Sequence, residues 1–144
     1  MRPLLTLFPL LLLVTNCTQP EPPKAETIWL AQNGNRVVTL PGDSEFEVLW
    51  YMGSSTLEFF CAAGDYAKMR LHAPSSHRVV LVEPIGPSKA RPGTRGVHFV
   101  VKSKEEHPNI TGGSIGLEDP GTAMTIGSAV AICEPPKRGL GGFF

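Results

Sequence analysis

The side chains best suited to bind a transition metal or to move protons near neutral pH are His72, His77, His98 and His107. They show neither an H-E-x-x-H nor a His-x-His spacing, whereas a zinc or iron site usually draws several ligands from one short stretch, so no metal ligand is nominated. A nucleophilic or metal-binding thiol needs a defined partner, yet neither Cys61 nor Cys133 lies in a C-x-x-C pair or beside a histidine. The run Thr111-Gly112-Gly113-Ser114-Ile115-Gly116 lacks the lysine and the strand-to-helix context of a phosphate cradle and reads as a turn. There is no G-x-S-x-G elbow. Asp65 with Tyr66, or Glu105 with Glu106, are acid/base candidates, but neighbours on a helix diverge by about 100° and charge runs usually face solvent. A Ser/His/Asp constellation assembled from distant positions stays open, and with it a small periplasmic hydrolase as an alternative function. No catalytic residue and no cofactor is nominated.

Charge is more informative than any motif. Residues 18–65 carry two Lys/Arg and seven Asp/Glu, residues 66–104 eight and one, and residues 105–144 two and five. A basic block of this kind suits anionic lipid headgroups, envelope polymers or an acidic protein. The competing expectation is that its charges pair with the acidic strands around them. Nucleic acid is a poor target, because no aromatic residues interleave with the block. Inside it, residues 84–95 hold Pro84, Pro87 and Pro92 with Gly86 and Gly93, which predicts a long loop without a regular element. Lys89, Arg91 and Arg95, at the exposed end of that loop, are the nominated partner-binding residues.

The amino end is expected to be an address. Arg2 precedes Leu4–Val14, an apolar run of 11 residues, about half of the roughly 20 that a spanning helix needs. A positive start and a short apolar stretch are the layout of a secretory signal, and Pro9, Pro20, Pro22 and Pro23 argue against a buried helix there. The Leu-rich run ending in Cys17 resembles a bacterial lipoprotein signal, in which the cysteine is lipidated. Asn16, however, stands where that pattern has Gly, Ala or Ser. Ordinary cleavage near Cys17, with Thr15 at the outer specificity position, is the alternative. Either way the expected location is periplasmic or extracellular, with anchoring to a bacterial membrane if Cys17 carries lipid. Cys61 and Cys133 then form an even pair where disulfides persist, and one bridge between them would disfavour the unfolded chain by about 4 kcal/mol.

These features need a scaffold. The chain has 144 residues, 13 Lys+Arg against 13 Asp+Glu, 42% hydrophobic and 18% charged residues, enough for one core. Its 15 Gly and 14 Pro follow no period, and no apolar heptad persists, which excludes collagen and coiled coil. The organisation reads as a signal over 1–17, a Pro-rich tether over 18–26, a single domain over 27–133 and a flexible tail over 134–144. Asn33-Gly34 between two apolar runs predicts a hairpin. Glu45–Trp50 alternates, with Phe46, Val48 and Trp50 on one face and the two glutamates on the other. Ser55-x-x-Glu58 is a capping box opening a helix that runs to Ala73-Pro74, with Leu57, Phe60, Gly64, Ala67 and Leu71 inward and Glu58, Asp65 and His72 outward. Gly64 is expected to let this helix approach the sheet. Val79–Val82 predicts a strand covered on both faces, and Val97–Lys102 the next one. Residues 103–122 read as irregular, and Thr125 caps a helix over 126–133 or else begins a strand.

The stretch Phe59-Phe60-Cys61-Ala62-Ala63-Gly64-Asp65-Tyr66-Ala67, a valine-rich strand, a Gly-Pro-Ser turn and a late cysteine together resemble a group of small exported alphaproteobacterial proteins. That resemblance covers about residues 45–133. It implies a Cys61–Cys133 bridge and brings no catalytic residue with it. The expected fold is α+β, an antiparallel sheet of about five strands with one main helix packed on it and a carboxy-terminal element tied to that helix by the disulfide. The expected function is that of a non-enzymatic exported or lipid-anchored envelope protein binding an anionic or protein partner. A structural or inhibitory envelope protein acting through Leu140–Phe144 is a further alternative to the hydrolase.

Overall fold

At the first turn of the chain the Ala31 amide donates to the Asn35 carbonyl at 2.8 Å, and Gly34 takes φ +87°, the left-handed region where a side chain would be strained. The turn joins β1 (Ile28–Leu30) to β2 (Arg36–Thr39) in antiparallel register, Trp29 opposite Val37. This is a computed structural model describing residues 27–133, so the expected signal with Cys17, the tether and the tail lie outside the described residues.

β3 (Glu45–Leu49) pairs with β2, then α1 (Thr56–Met69) crosses to β4 (Arg78–Pro87), and β5 (Arg95–Lys102) returns between β3 and β4. β6 (Ala123–Thr125) adds to the outer side of β4, and α2 (Ile126–Ala131) follows at once. The architecture is α+β with an antiparallel sheet of order β1-β2-β3-β5-β4-β6, six strands against the five expected. The extra strand is β6, so residues 123–133 are both of the alternatives in turn: three residues of strand, then a helix whose cap Thr125 accepts from the Ser128 amide at 3.0 Å.

α1 begins as the capping box predicts, with Glu58 accepting from the Ser55 amide at 2.6 Å and Ser55 accepting from the Glu58 amide at 3.4 Å. It packs Phe59, Phe60, Ala63, Tyr66 and Ala67 on Phe46, Val48, Leu81, Val97 and Phe99 of the sheet. Ring centroids of Tyr66 and Phe46 lie 4.6 Å apart and those of Phe60 and Phe99 5.3 Å apart, inside the range of favourable aromatic pairs. Three expectations for the helix need correction. It ends at Met69, short of Ala73, because the chain turns off through His72 at φ +54°. Leu57 is exposed while Asp65 is buried, since the helix is covered by α2 and the hairpin turn as well as by the sheet. Gly64 serves α2 and not the sheet, because a Cβ there would overlap that of Ala129.

The bridge between Cys61 and Cys133 is present, with Cα atoms 5.0 Å apart, inside the usual range for a disulfide, and it ties the end of α2 to α1. No helix among the described residues is long and apolar enough to cross a membrane.

Candidate functional site

The strand alternation that buries Phe46 and Val48 against α1 sends Glu45 and Glu47 to the other face of β3. Glu47 is not the exposed residue the alternation predicts: it is 2% exposed. What covers it is the segment after β4. Its carboxylate accepts from the Ser88 hydroxyl at 2.5 Å, the Lys89 amide at 2.8 Å and the Ala90 amide at 3.2 Å. The Ser88 oxygen in turn accepts from the Arg91 amide at 2.9 Å, and Ser88 and Thr94 exchange a backbone bond at 3.0 Å. A buried carboxylate that accepts several donors meets the condition for keeping its charge away from water.

This arrangement corrects the reading of residues 84–95 as a single irregular loop. β4 continues through Pro84 to Pro87 along β5, with Gly86 opposite Gly96, and only 88–94 forms the loop. Pro84 is tolerated because it falls in the shift of register between Glu83 and Gly86, and Pro87 because it is the last residue of the strand, opposite Arg95 and beyond the reach of β6.

Beside Glu47 on the same face, His98 of β5 stands opposite both Glu47 and Glu83. His98 is 5% exposed, with Nε2 3.0 Å from Glu45 and Nδ1 3.8 Å from Glu83. The Lys89 ammonium pairs with Glu83. That hydrogen bond holds the Glu83 carboxyl below the usual carboxylate range, against the opposing effect of burial, with the charge of Lys89 and the nearby His98 also contributing. Among the described residues no group of His, Cys, Asp and Glu is arranged to hold a metal ion. The Ser88 hydroxyl donates to a carboxylate rather than to an imidazole, which is not the base that a serine nucleophile uses.

The nominated residues therefore divide. Lys89 is turned toward Glu83. Arg95 lies over the Trp50 indole, its guanidinium carbon 5.9 Å from the ring centroid. Arg91 lines a recess of about 420 Å³ together with Thr94, Trp50, Tyr51 and Arg36. Elsewhere in the basic block Lys102 pairs with Glu106 at 3.8 Å, and Arg78 is buried with its guanidinium donating to the Ser76 carbonyl. The expectation that the basic charges pair with the acidic segments around the block is met at Lys102, whereas Lys89 pairs with Glu83, the acidic residue of the block itself.

Trp50 was expected on the buried face of β3. It is 39% exposed, because the strand ends at Leu49 and the indole leaves the sheet beside Arg95, whose carbonyl accepts from the Trp50 amide at 2.9 Å. Sequence reasoning also passed over Arg36, Tyr51 and Glu47. Arg36 and Arg91 come from segments 55 positions apart in the chain, joined only through the order β2-β3-β5. No spacing in the sequence announces such a meeting. For Glu47 a signal did exist, an acidic residue in the middle of a strand that has apolar partners on both sides, though nothing local says which donors would reach it.

Comparison with protein families, with curated proteins and with solved structures finds no match to this chain.

Proposed function

We propose that this protein is a non-enzymatic exported envelope protein that binds an anionic or protein partner through the 88–94 loop and the basic residues around it. The observation that carries the reading is the way the loop is held. Glu47 anchors it from beneath by hydrogen bonds to Ser88, Lys89 and Ala90, while half-buried Arg91 lines a recess with Arg36 and exposed Arg95 lies over Trp50. A loop held in place before binding loses less conformational entropy on contact. Guanidinium groups suit carboxylate or phosphate because their fork matches two oxygens at once.

Export is supported by the disulfide, which is compatible with an oxidising compartment such as the periplasm or the extracellular space. Removal of residues 1–16 with lipid on Cys17, or cleavage close to Cys17, completes the proposal, and mass spectrometry of the mature amino terminus tests it. An intact Met1 in the exported protein contradicts it.

The test of the binding reading is joint replacement of Lys89, Arg91 and Arg95 by glutamine. Association with envelope extract or with anionic vesicles should weaken, and rising salt should mimic the change, since exposed charges are screened over about 8 Å at physiological ionic strength. Unchanged binding overturns the reading. A large fall in thermal stability would show instead that these charges serve the fold.

A further inference from the structure

The recess at the rim combines two kinds of recognition. Arg36, from the start of β2, and Arg91, from the loop, both line it, and none of its lining residues is acidic. Trp50 and Tyr51 line it too and are 39% and 43% exposed. They follow one another directly after the end of β3, so two aromatic side chains stand side by side there. Arg95 fixes the indole from outside the recess, so the ring is positioned and not merely exposed. The volume of about 420 Å³ falls within the range of about 300–1,000 Å³ typical of small-ligand sites. It would hold one or two rings of a chain and not a folded segment.

We propose that this recess binds an acidic sugar residue of an envelope saccharide, a ring carrying a carboxylate, with the flat ring face on Trp50 and Tyr51 and the carboxylate on Arg36. Arg36 supplies a fork for two oxygens. The aromatic faces accept the C–H face of a pyranose, which a bare anion does not have. Thr94, whose hydroxyl donates to the Arg91 carbonyl at 2.7 Å, still offers its oxygen lone pairs to a sugar hydroxyl at the rim. This inference names the ligand class for the binding reading above and rests on it.

The test uses short oligogalacturonates, neutral gluco-oligosaccharides of equal length, inorganic phosphate and phosphatidylglycerol vesicles, each titrated into the exported full-length protein by calorimetry. Tryptophan fluorescence of the same titrations is assigned by comparison with Trp50→Phe, since Trp29 is the other indole in the chain. The acidic oligomer should bind at least about tenfold more tightly than the neutral one, a difference of one decade in Kd. Arg36→Gln and Trp50→Ala should each lose about a decade of that affinity. Arg36→Lys should fall between Arg36→Gln and the parent, because it keeps the charge but not the fork. Both positions are exposed, and an unchanged melting curve confirms that each variant is folded. Equal binding of the neutral oligomer overturns the role of Arg36. Phosphate binding as tightly as the acidic oligomer overturns the role of the aromatic rings. If Arg36→Gln and Trp50→Ala bind envelope extract normally while the loop replacement does not, the recess is refuted and the loop reading survives. Vesicle binding with no response to oligosaccharide has the same meaning.

Discussion

Replacing Glu47 tests the central physical claim, that one buried carboxylate organises the loop. In Glu47→Ala the Ser88 hydroxyl and the Lys89 and Ala90 amides lose their common acceptor. A hydrogen bond to a charged group contributes about 1.5–3 kcal/mol net. The loss is less than the sum of three such bonds, because removing the charge also recovers its desolvation cost and because the freed donors can reach water once the loop lifts. About 3 kcal/mol is the expected destabilisation, which for a domain near 100 residues lowers Tm by about 15 °C. Glu47→Gln keeps one carbonyl acceptor and presents an amide to the remaining donors, so it should cost about 1–2 kcal/mol. Urea denaturation gives the stabilities, and hydrogen exchange of the Lys89 and Ala90 amides gives the local effect. Both amides should exchange faster in the alanine variant while amides of α1 change only with global stability. A loss below about 0.5 kcal/mol, the size of an ordinary surface change, with unaltered exchange at Lys89 and Ala90, refutes the reasoning.

Other consequences follow from single contacts. Cys61 and Cys133 should resist alkylation in the native protein, and replacing both with alanine should destabilise it by about 4 kcal/mol, from loop closure over a sequence separation of 72; ready labelling of both thiols would contradict the bridge. Gly64→Ala should destabilise despite the gain in helix propensity, by about 1–3 kcal/mol, and Ala129→Gly in the same chain should restore most of the loss if the two Cβ positions are what collide. His72→Gly should raise the urea midpoint, reflecting a stability gain of up to about 1 kcal/mol, because His72 holds φ +54° where glycine is unstrained. Glu83 has a carboxyl held lower in the folded chain than in the unfolded one, so its contribution is present above the ordinary glutamate range and fades as pH falls through the lowered folded value. The effect is small at so exposed a pair, and in Lys89→Met the acid limb of the stability profile should flatten slightly; a steeper limb would contradict the sign.

What could be read from the sequence is what local chemistry decides. The Asn33-Gly34 turn, the Ser55 capping box, the Thr125 cap and the alternation of Phe46 and Val48 each depend on residues within four positions of one another. All are present in the structure. The errors fall where the deciding neighbour is distant. Asp65 is outward by helical periodicity, yet it is buried because it accepts from the Gln32 amide of the hairpin turn at 2.7 Å. Gly64 reads as a contact to a sheet because the helix that needs the space lies more than 60 positions away. Pro84 and Pro87 read as breakers because neither a shift of register nor the end of the strand can be seen without the partner strand. The candidate site was legible to the same extent: the loop that carries Arg91 and Arg95 stands out as a basic, proline-rich segment, while Arg36, Trp50 and Tyr51 enter only through strand order.

The division of labour among the three nominated charges follows from the carboxylates beneath them. An anion approaching this face would meet Glu45, Glu47 and Glu83 as well as the basic rim, and a rim that did no more than offset them would attract nothing. Glu47 has its charge engaged by loop donors, Glu83 by the Lys89 ammonium and Glu45 by the His98 ring. Engaged in this way, the carboxylates act over short distances as support for the loop, and their field at the recess is reduced by the groups that bind them. Arg36 and Arg91 line the recess with Trp50 and Tyr51, and Arg95 lies over the Trp50 indole. Lys89 is then a structural charge that keeps Glu83 compensated. The basic block of the sequence thus separates in the fold into a part that neutralises neighbouring carboxylates and a part beside the recess, the one to which the proposed binding is assigned, and Glu47 holds the loop between them.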